Sequence, residues 1–233
     1  MIKITTVGEI RRTYIPNDIK AVLVIAHGAG AGLKHEFMDS FCHLMAQYNI
    51  AVWSFNFPYM QIMYETEKRR PPNKVDKLVT HYFSEIGEAT RQFGADLPLF
   101  VAGKSMGGRV SSLVSSMSLA QQTLAELENV NIAGNIVLGY PFIPSGKPEK
   151  FESRTQHFKD LQCSSLILQG ERDTFGNTTV LNSKTFPDQV TISWITNGDH
   201  SFKPLKSSGK TYEDNLELAA KLSNDFIYKV IGK

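Results

Sequence analysis

The stretch Pro98-Leu99-Phe100-Val101-Ala102-Gly103-Lys104-Ser105-Met106-Gly107-Gly108 decides how the rest of the chain is read. A short apolar run enters Gly103-Lys104-Ser105-Met106-Gly107, of the form G-x-S-x-G, and a long amphipathic stretch follows. The pattern predicts a strand, a sharp turn with Ser105 at its apex, and a helix. A serine displayed there needs a strained backbone so that its Oγ points outward. Glycines on either side keep Cβ atoms from colliding where strand and helix pass closely. The turn also places Ser105 at a helix N-terminus, where unpaired N–H groups and the dipole favour developing negative charge.

Outward from this turn, short apolar runs alternate with longer helical stretches. Ala21 to Ala26 (AVLVIA) is continuous and β-branched, as a strand covered on both faces should be. Ile50 to Phe55, Leu99 to Ala102, Asn135 to Leu138, Ser165 to Gln169 and Val190 to Ile195 repeat the theme. Helical spacing runs over Glu36 to Tyr48, Asn73 to Phe93, Met106 to Leu127, Thr155 to Leu161 and Tyr212 to Ile231. Alternation of this kind implies parallel pairing through right-handed crossovers. The predicted class is α/β: a doubly wound, mostly parallel sheet with helices on both faces and no separate lid domain. Ile2 to Thr6 and Glu9 to Ile15 add an antiparallel edge hairpin turning at Val7-Gly8. Asn56 to Asn73 and Tyr140 to Lys150 read as long loops leaving the carboxyl edge of the sheet, where open α/β sheets bind ligands.

A chain of 233 residues, 42% hydrophobic and 21% charged, fits one α/β domain over 1–233 with enough core for a covered sheet. The formal charge of +2 gives no argument for nucleic acid or an anionic membrane as partner. The apolar runs are strand-length, too short for a membrane span, and the N-terminus lacks the apolar core of a signal peptide. Cys42 and Cys163 stand far apart in unlike contexts and read as free thiols of a cytoplasmic protein. Neither sits in a zinc pattern, and the chemistry read below needs no metal or cofactor.

Acyl transfer at a serine needs a base, a group that orients it, and donors for the oxyanion. In the chain order that goes with this turn, an acid and then a histidine follow the serine. His200 lies in a loop directly after the strand Val190 to Ile195, at the carboxyl edge; His157 precedes a strand, on the other side of the sheet. Asp173 opens from the buried strand ending at Gln169, with Glu171 as the alternative; Asp199 is too near His200 in sequence to reach its ring. The oxyanion donors expected are the N–H groups of Met106 and of Ala29, with Gly30 next, in the glycine-rich turn His27-Gly28-Ala29-Gly30-Ala31-Gly32. That turn departs from a G-x-G-x-x-G dinucleotide fingerprint, and no acid ends the following strand. Phe57, Tyr59 and Tyr140 are expected to wall the pocket. His27 should orient its own loop; His35, His43 and His81 read as surface or packing residues, and Met106 and Met117 as core. Lys104 should point away from the cleft, and Lys68-Arg69-Arg70 reads as a solvated face or an anion contact near the mouth.

These stretches in this order resemble an α/β-hydrolase, and in detail the cap-less group related to dienelactone hydrolase. The residues that carry the resemblance are HGAGAG (His27 to Gly32), FNFPY (Phe55 to Tyr59), RRPPNK (Arg69 to Lys74), GKSMGGR (Gly103 to Arg109), LGYPFIPSGKPE (Leu138 to Glu149), LQGERDTFG (Leu168 to Gly176) and GDHSF (Gly198 to Phe202). The resemblance implies Ser105, Asp173 and His200 as a triad and the two long loops as pocket walls. The expectation is a serine hydrolase of a small ester or thioester. Two other readings keep the same fold: an interaction protein without turnover, and an acyltransferase using the same three residues.

Overall fold

The computed structural model describes residues 1–8, 10–116, 130–144 and 146–232. Among the described residues eight strands form a single sheet: β1 (Lys3–Val7), β2 (Arg11–Ile15), β3 (Ala21–Ala26), β4 (Ile50–Phe55), β5 (Leu99–Lys104), β6 (Ile132–Leu138), β7 (Ser164–Gly170) and β8 (Val190–Ile195). Their order is β1-β2-β4-β3-β5-β6-β7-β8. The hairpin β1–β2 is antiparallel and joins β4 antiparallel; every pair from β4 through β3 to β8 is parallel. This is the mostly parallel, doubly wound sheet that the strand–helix alternation predicts. The hairpin turns at Gly8, whose φ of 55° lies in the left-handed region that glycine tolerates. The predicted start of the second hairpin strand, Glu9, falls outside the described residues.

Among the described residues the helices are α1 (Glu36–Gln47), α2 (Pro58–Thr66), α3 (Val75–Phe93), α4 (Met106–Val114), α5 (Phe151–Thr155), α6 (Thr178–Leu181) and α7 (Tyr212–Val230). Successive strand residues point to opposite faces, so one sequence fills two cores. Leu23, Ile25, Val52, Phe100 and Ile136 meet Phe37, Phe41 and Met45 of α1 and Leu216, Ala219 and Ile227 of α7. Val22, Val24 and Val101 meet Leu78, Tyr82, Phe83 and Ile86 of α3 and Val110 and Val114 of α4. Each such aliphatic or aromatic side chain contributes on the order of 1.5–3 kcal/mol by leaving water. A third cluster, with Tyr140, Phe142, Phe151 and Phe158, covers β6 and β7.

Two element expectations change. The segment read as a loop over 56–73 contains α2, because Pro58 is pre-set for a first helical position and Tyr59 and Met60 find a buried face. The helix expected over 155–161 starts earlier, as α5, and continues as a 3-10 turn over Gln156–Asp160. Of the helix expected over 106–127, the part beyond 116, with Met117, lies outside the described residues.

Candidate active site

The turn after β5 is fixed by contacts too close for any side chain. A Cβ on Gly103 would lie 2.2 Å from the carbonyl carbon of Gly107, and one on Gly107 would lie 2.5 Å from the carbonyl oxygens of Ala26 and His27. Strand, turn and helix therefore touch backbone to backbone. Ser105 takes φ 54° and ψ −113°, outside the usual regions for a residue with a Cβ. Its N–H donates to the Leu138 carbonyl at 3.0 Å, and its carbonyl accepts from Arg109 N–H at 3.0 Å. Strain at one serine is thus held by β6 on one side and α4 on the other.

The structure brings Ser105, His200 and Asp173 into one line. Ser105 Oγ lies 2.8 Å from His200 Nε2, and His200 Nδ1 lies 2.7 Å from Asp173 Oδ2. Asp173 is fully buried. Its Oδ1 accepts from Phe175 N–H at 2.8 Å, and its Oδ2 accepts a second bond from Gln169 Nε2 at 2.8 Å. Gln169 in turn accepts from Tyr140 N–H through Oε1 at 2.8 Å, so one buried amide joins the loops after β6 and β7 to the carboxylate. The Phe175 ring covers the imidazole with centroids 4.5 Å apart.

The histidine loop is built from its own polar residues. Asp199 Oδ1 accepts from Ser201 and Lys203 N–H at 2.7 and 3.0 Å, and Asn215 Nδ2 donates to the Phe202 carbonyl at 2.8 Å. Gly170 ends β7 against this loop: a Cβ there would sit 2.3 Å from the Asp199 carbonyl oxygen. Glu171, the alternative acid, accepts from Asn197 N–H at 2.7 Å and so fastens the loop. His157 is buried on Ser112 Oγ at 2.8 Å, and burial lowers it to about 4.

The turn after β3 lies beside Ser105. His27 Nε2 accepts from Phe57 N–H at 3.0 Å, which leaves the proton on Nδ1 to donate to the Gly28 carbonyl at 2.6 Å. Full burial pushes its pKa down to about 4, so the ring is neutral near pH 7. Ala29 lines the cavity, and Met106 occupies the first position of α4, where an N–H has no partner within the helix.

A cavity of about 260 Å³ opens beside Ser105 and His200, lined by residues 28–31 and by His35, Phe37, Met38, Lys104, Phe175 and Ser201. The expected walls are not on it. Phe57 is fully buried between His27 and Phe55. Tyr59 is buried, and its hydroxyl donates to the carbonyls of Gly28 and Ala29 at 3.3 and 2.9 Å, so it braces the turn from behind. Tyr140 is fully buried against Phe142 and Phe158 and donates to the Arg154 carbonyl at 2.5 Å. Phe57 is wholly apolar, and each tyrosine can be swallowed by the core once its hydroxyl has a partner. Lys104 also departs from expectation: it is on the cavity wall and bonds the His200 carbonyl. Lys68, Arg69 and Arg70 are exposed and do not line this cavity.

The actual walls Phe37 and Met38 escaped the sequence reading because helical periodicity marks them as core. Their one local signal is position: they open α1 directly after the glycine-rich turn. His35, read as a surface or packing residue, caps α1 by accepting from Phe37 N–H through Nδ1 at 3.2 Å and faces the cavity. Among the described residues no group of three or more His, Cys, Asp or Glu side chains is arranged to hold a metal ion. No helix among them is long and apolar enough to cross a membrane.

A strained serine between a parallel strand and a helix, followed in sequence by an acid and a histidine on the same sheet edge, defines the α/β-hydrolase class. Residues 19–228 match the family described as alpha/beta hydrolase domain, and the chain belongs to that family. Among solved structures it is similar to TT1662 from Thermus thermophilus, at 17% identity and TM-score 0.65 over 100% of this chain and 99% of that one. Dienelactone hydrolase from Anabaena variabilis matches at 17% identity and TM-score 0.58, over 98% and 96% of the two chains. A thermophilic esterase from Thermogutta terrifontis, with butyrate bound, matches at 13% identity and TM-score 0.65, over 98% and 94%. No curated protein matches.

Proposed function

We propose that this α/β-hydrolase is a serine hydrolase that cleaves small esters or thioesters through an acyl-enzyme on Ser105. The observation that carries the reading is the unbroken hydrogen-bonded line from Ser105 Oγ through His200 to buried Asp173. In the first step Oγ attacks the carbonyl carbon while its proton passes to His200 Nε2. Asp173, itself held by Gln169 and Phe175 N–H, fixes the imidazole with Nδ1–H and stabilises the imidazolium. The N–H groups of Met106 and Ala29 take the negative oxygen of the tetrahedral intermediate, each worth on the order of 3 kcal/mol in such a role. Collapse breaks the bond to the alkoxide or thiolate, which leaves with the proton from Nε2. Water then gives a proton to His200 and attacks the acyl carbon, and collapse of the second intermediate releases the acid while Nε2 returns the proton to Ser105 Oγ.

The apolar side of the cavity, Phe37, Met38 and Phe175, suits a short acyl group, and butyrate in the esterase neighbour is of that size. Two free thiols, Cys42 and Cys163, agree with a cytoplasmic protein. The test is a fluorophosphonate probe together with p-nitrophenyl esters of graded chain length. The wild-type protein should be labelled and should turn over acetate to butyrate esters, and Ser105→Ala should do neither. Failure of the wild type to label would favour the fold as an interaction module. Product appearing only with an added alcohol or amine acceptor would make the protein an acyltransferase.

A further inference from the structure

Lys104, between the last glycine of β5 and the nucleophile, is only 8% exposed and has no carboxylate in salt-bridge contact among the described residues. Its stem runs beside Gly28, and its ammonium donates to the His200 carbonyl at 2.5 Å. The Phe37 and Phe202 rings flank that ammonium with centroids 5.4 and 5.9 Å from Nζ. Lys104 Nζ and His200 Nδ1 lie 3.1 and 3.3 Å from one and the same point, where a Cβ on Gly139 would be. The absent side chain at Gly139 thus leaves room for a cation directly behind the imidazole. The charged groups facing it are Asp173 after β7 and Asp199 after β8; α1 turns the Phe37 ring to it, and Gly139, directly after β6, leaves the gap.

A buried lysine without a paired carboxylate is costly, and a hydrophobic side chain of similar length would fill the same space without desolvating a charge. What only an ammonium supplies here is a donor to the histidine loop and a positive charge beside the His200–Asp173 pair. We propose that Lys104 is a positioning residue of the triad: its ammonium clamps the loop carrying His200 to the nucleophile turn and so keeps Nε2 within reach of Ser105 Oγ. The proposal rests on reading Ser105, His200 and Asp173 as the catalytic line. Burial lowers Lys104 to about 8, so the clamp carries its charge in most molecules near pH 7.

The experiment records the His200 Nδ1–H signal and its exchange with water by NMR at one fixed pH, assigned with His200→Asn, in wild type, Lys104→Met and Lys104→Arg. Thermal unfolding monitors the fold of each. Loss of the clamp should speed exchange of that proton about tenfold in Met, while Arg, which keeps a charged donor, stays near wild type. The kcat for a p-nitrophenyl ester should fall about tenfold in Met with KM little changed, and recover partly in Arg. Unchanged exchange in a folded Met variant overturns the proposal, as does an equal gain in Arg. The exchange rate is readable whether or not esters are hydrolysed. A protein whose Ser105 never labels loses the hydrolase reading on other grounds, with the measured effect of Lys104 on His200 intact.

Discussion

The turn after β5 and the segment after β4 both leave the carboxyl edge of the sheet, and they treat their side chains in opposite ways. After β5, two glycines pass backbone against backbone and one serine is pushed outward in a strained conformation. After β4, Phe57, Tyr59 and Met60 turn inward, α2 forms over them, and the tyrosine hydroxyl grips the neighbouring turn from behind. One region displays a serine hydroxyl, and the other holds still the backbone that receives the oxyanion in the proposed reaction. The lesson is that an aromatic residue at a ligand-binding edge can serve the site as a brace with no surface in the cavity.

The display side of this comparison breaks hardest. Asp173→Asn should leave the fold in place yet reverse the preferred protonation of the His200 ring, and kcat for a p-nitrophenyl ester should fall on the order of 10⁴-fold. Glu171→Gln, at a side chain that accepts from Asn197 N–H, should cost far less, and an equal loss in both variants would move the acid role away from Asp173. The glycines come next. Gly103→Ala places a Cβ against the Gly107 backbone, which cannot move without dislodging α4, so a loss of about 4 kcal/mol in urea unfolding is expected.

The bracing side has its own signature in pH. His27 is neutral and fully buried, with its pKa lowered from 6.5 to about 4, and His157 is lowered to about 4 in the same way. Between those values the unfolded chain binds protons that the folded chain refuses. Stability is therefore complete above about pH 6.5 and declines as pH falls toward 4, by up to about 3 kcal/mol for each ring. Urea midpoints measured from pH 7.5 to 4.5 should fall accordingly, and His27→Gln should flatten the part of that slope which belongs to the turn after β3.

What the sequence made legible follows the same division. The six parallel strands and the serine turn are local: β-branched runs and glycines beside Ser105 carry their own geometry, and the acid and histidine follow from which loops leave the same edge. Phe57, Tyr59 and Tyr140 could not be placed this way. Whether an aromatic side chain in a loop faces solvent, ligand or core depends on partners far away in sequence, such as the carbonyls of Gly28 and Ala29 for Tyr59. Lys104 failed for a related reason. Its direction follows from the turn, but its destination is set by a histidine loop almost a hundred residues later and by the gap at Gly139.

The smallest expected effect separates brace from wall most cleanly. Tyr59→Phe removes one hydroxyl, which spans the carbonyls of Gly28 and Ala29, and leaves the ring packing untouched. If the tyrosine acts only through the turn, the loosened backbone should present the Ala29 N–H less well to the tetrahedral oxygen. Then kcat should drop about tenfold for every ester alike, with stability reduced by about 1 kcal/mol. Phe37→Ala should do the reverse. It enlarges the cavity beside Ser105, so longer acyl chains should gain relative to acetate. A chain-length profile that shifts with Tyr59→Phe and stays fixed with Phe37→Ala would return Tyr59 to the pocket wall and exchange the roles assigned to the two regions.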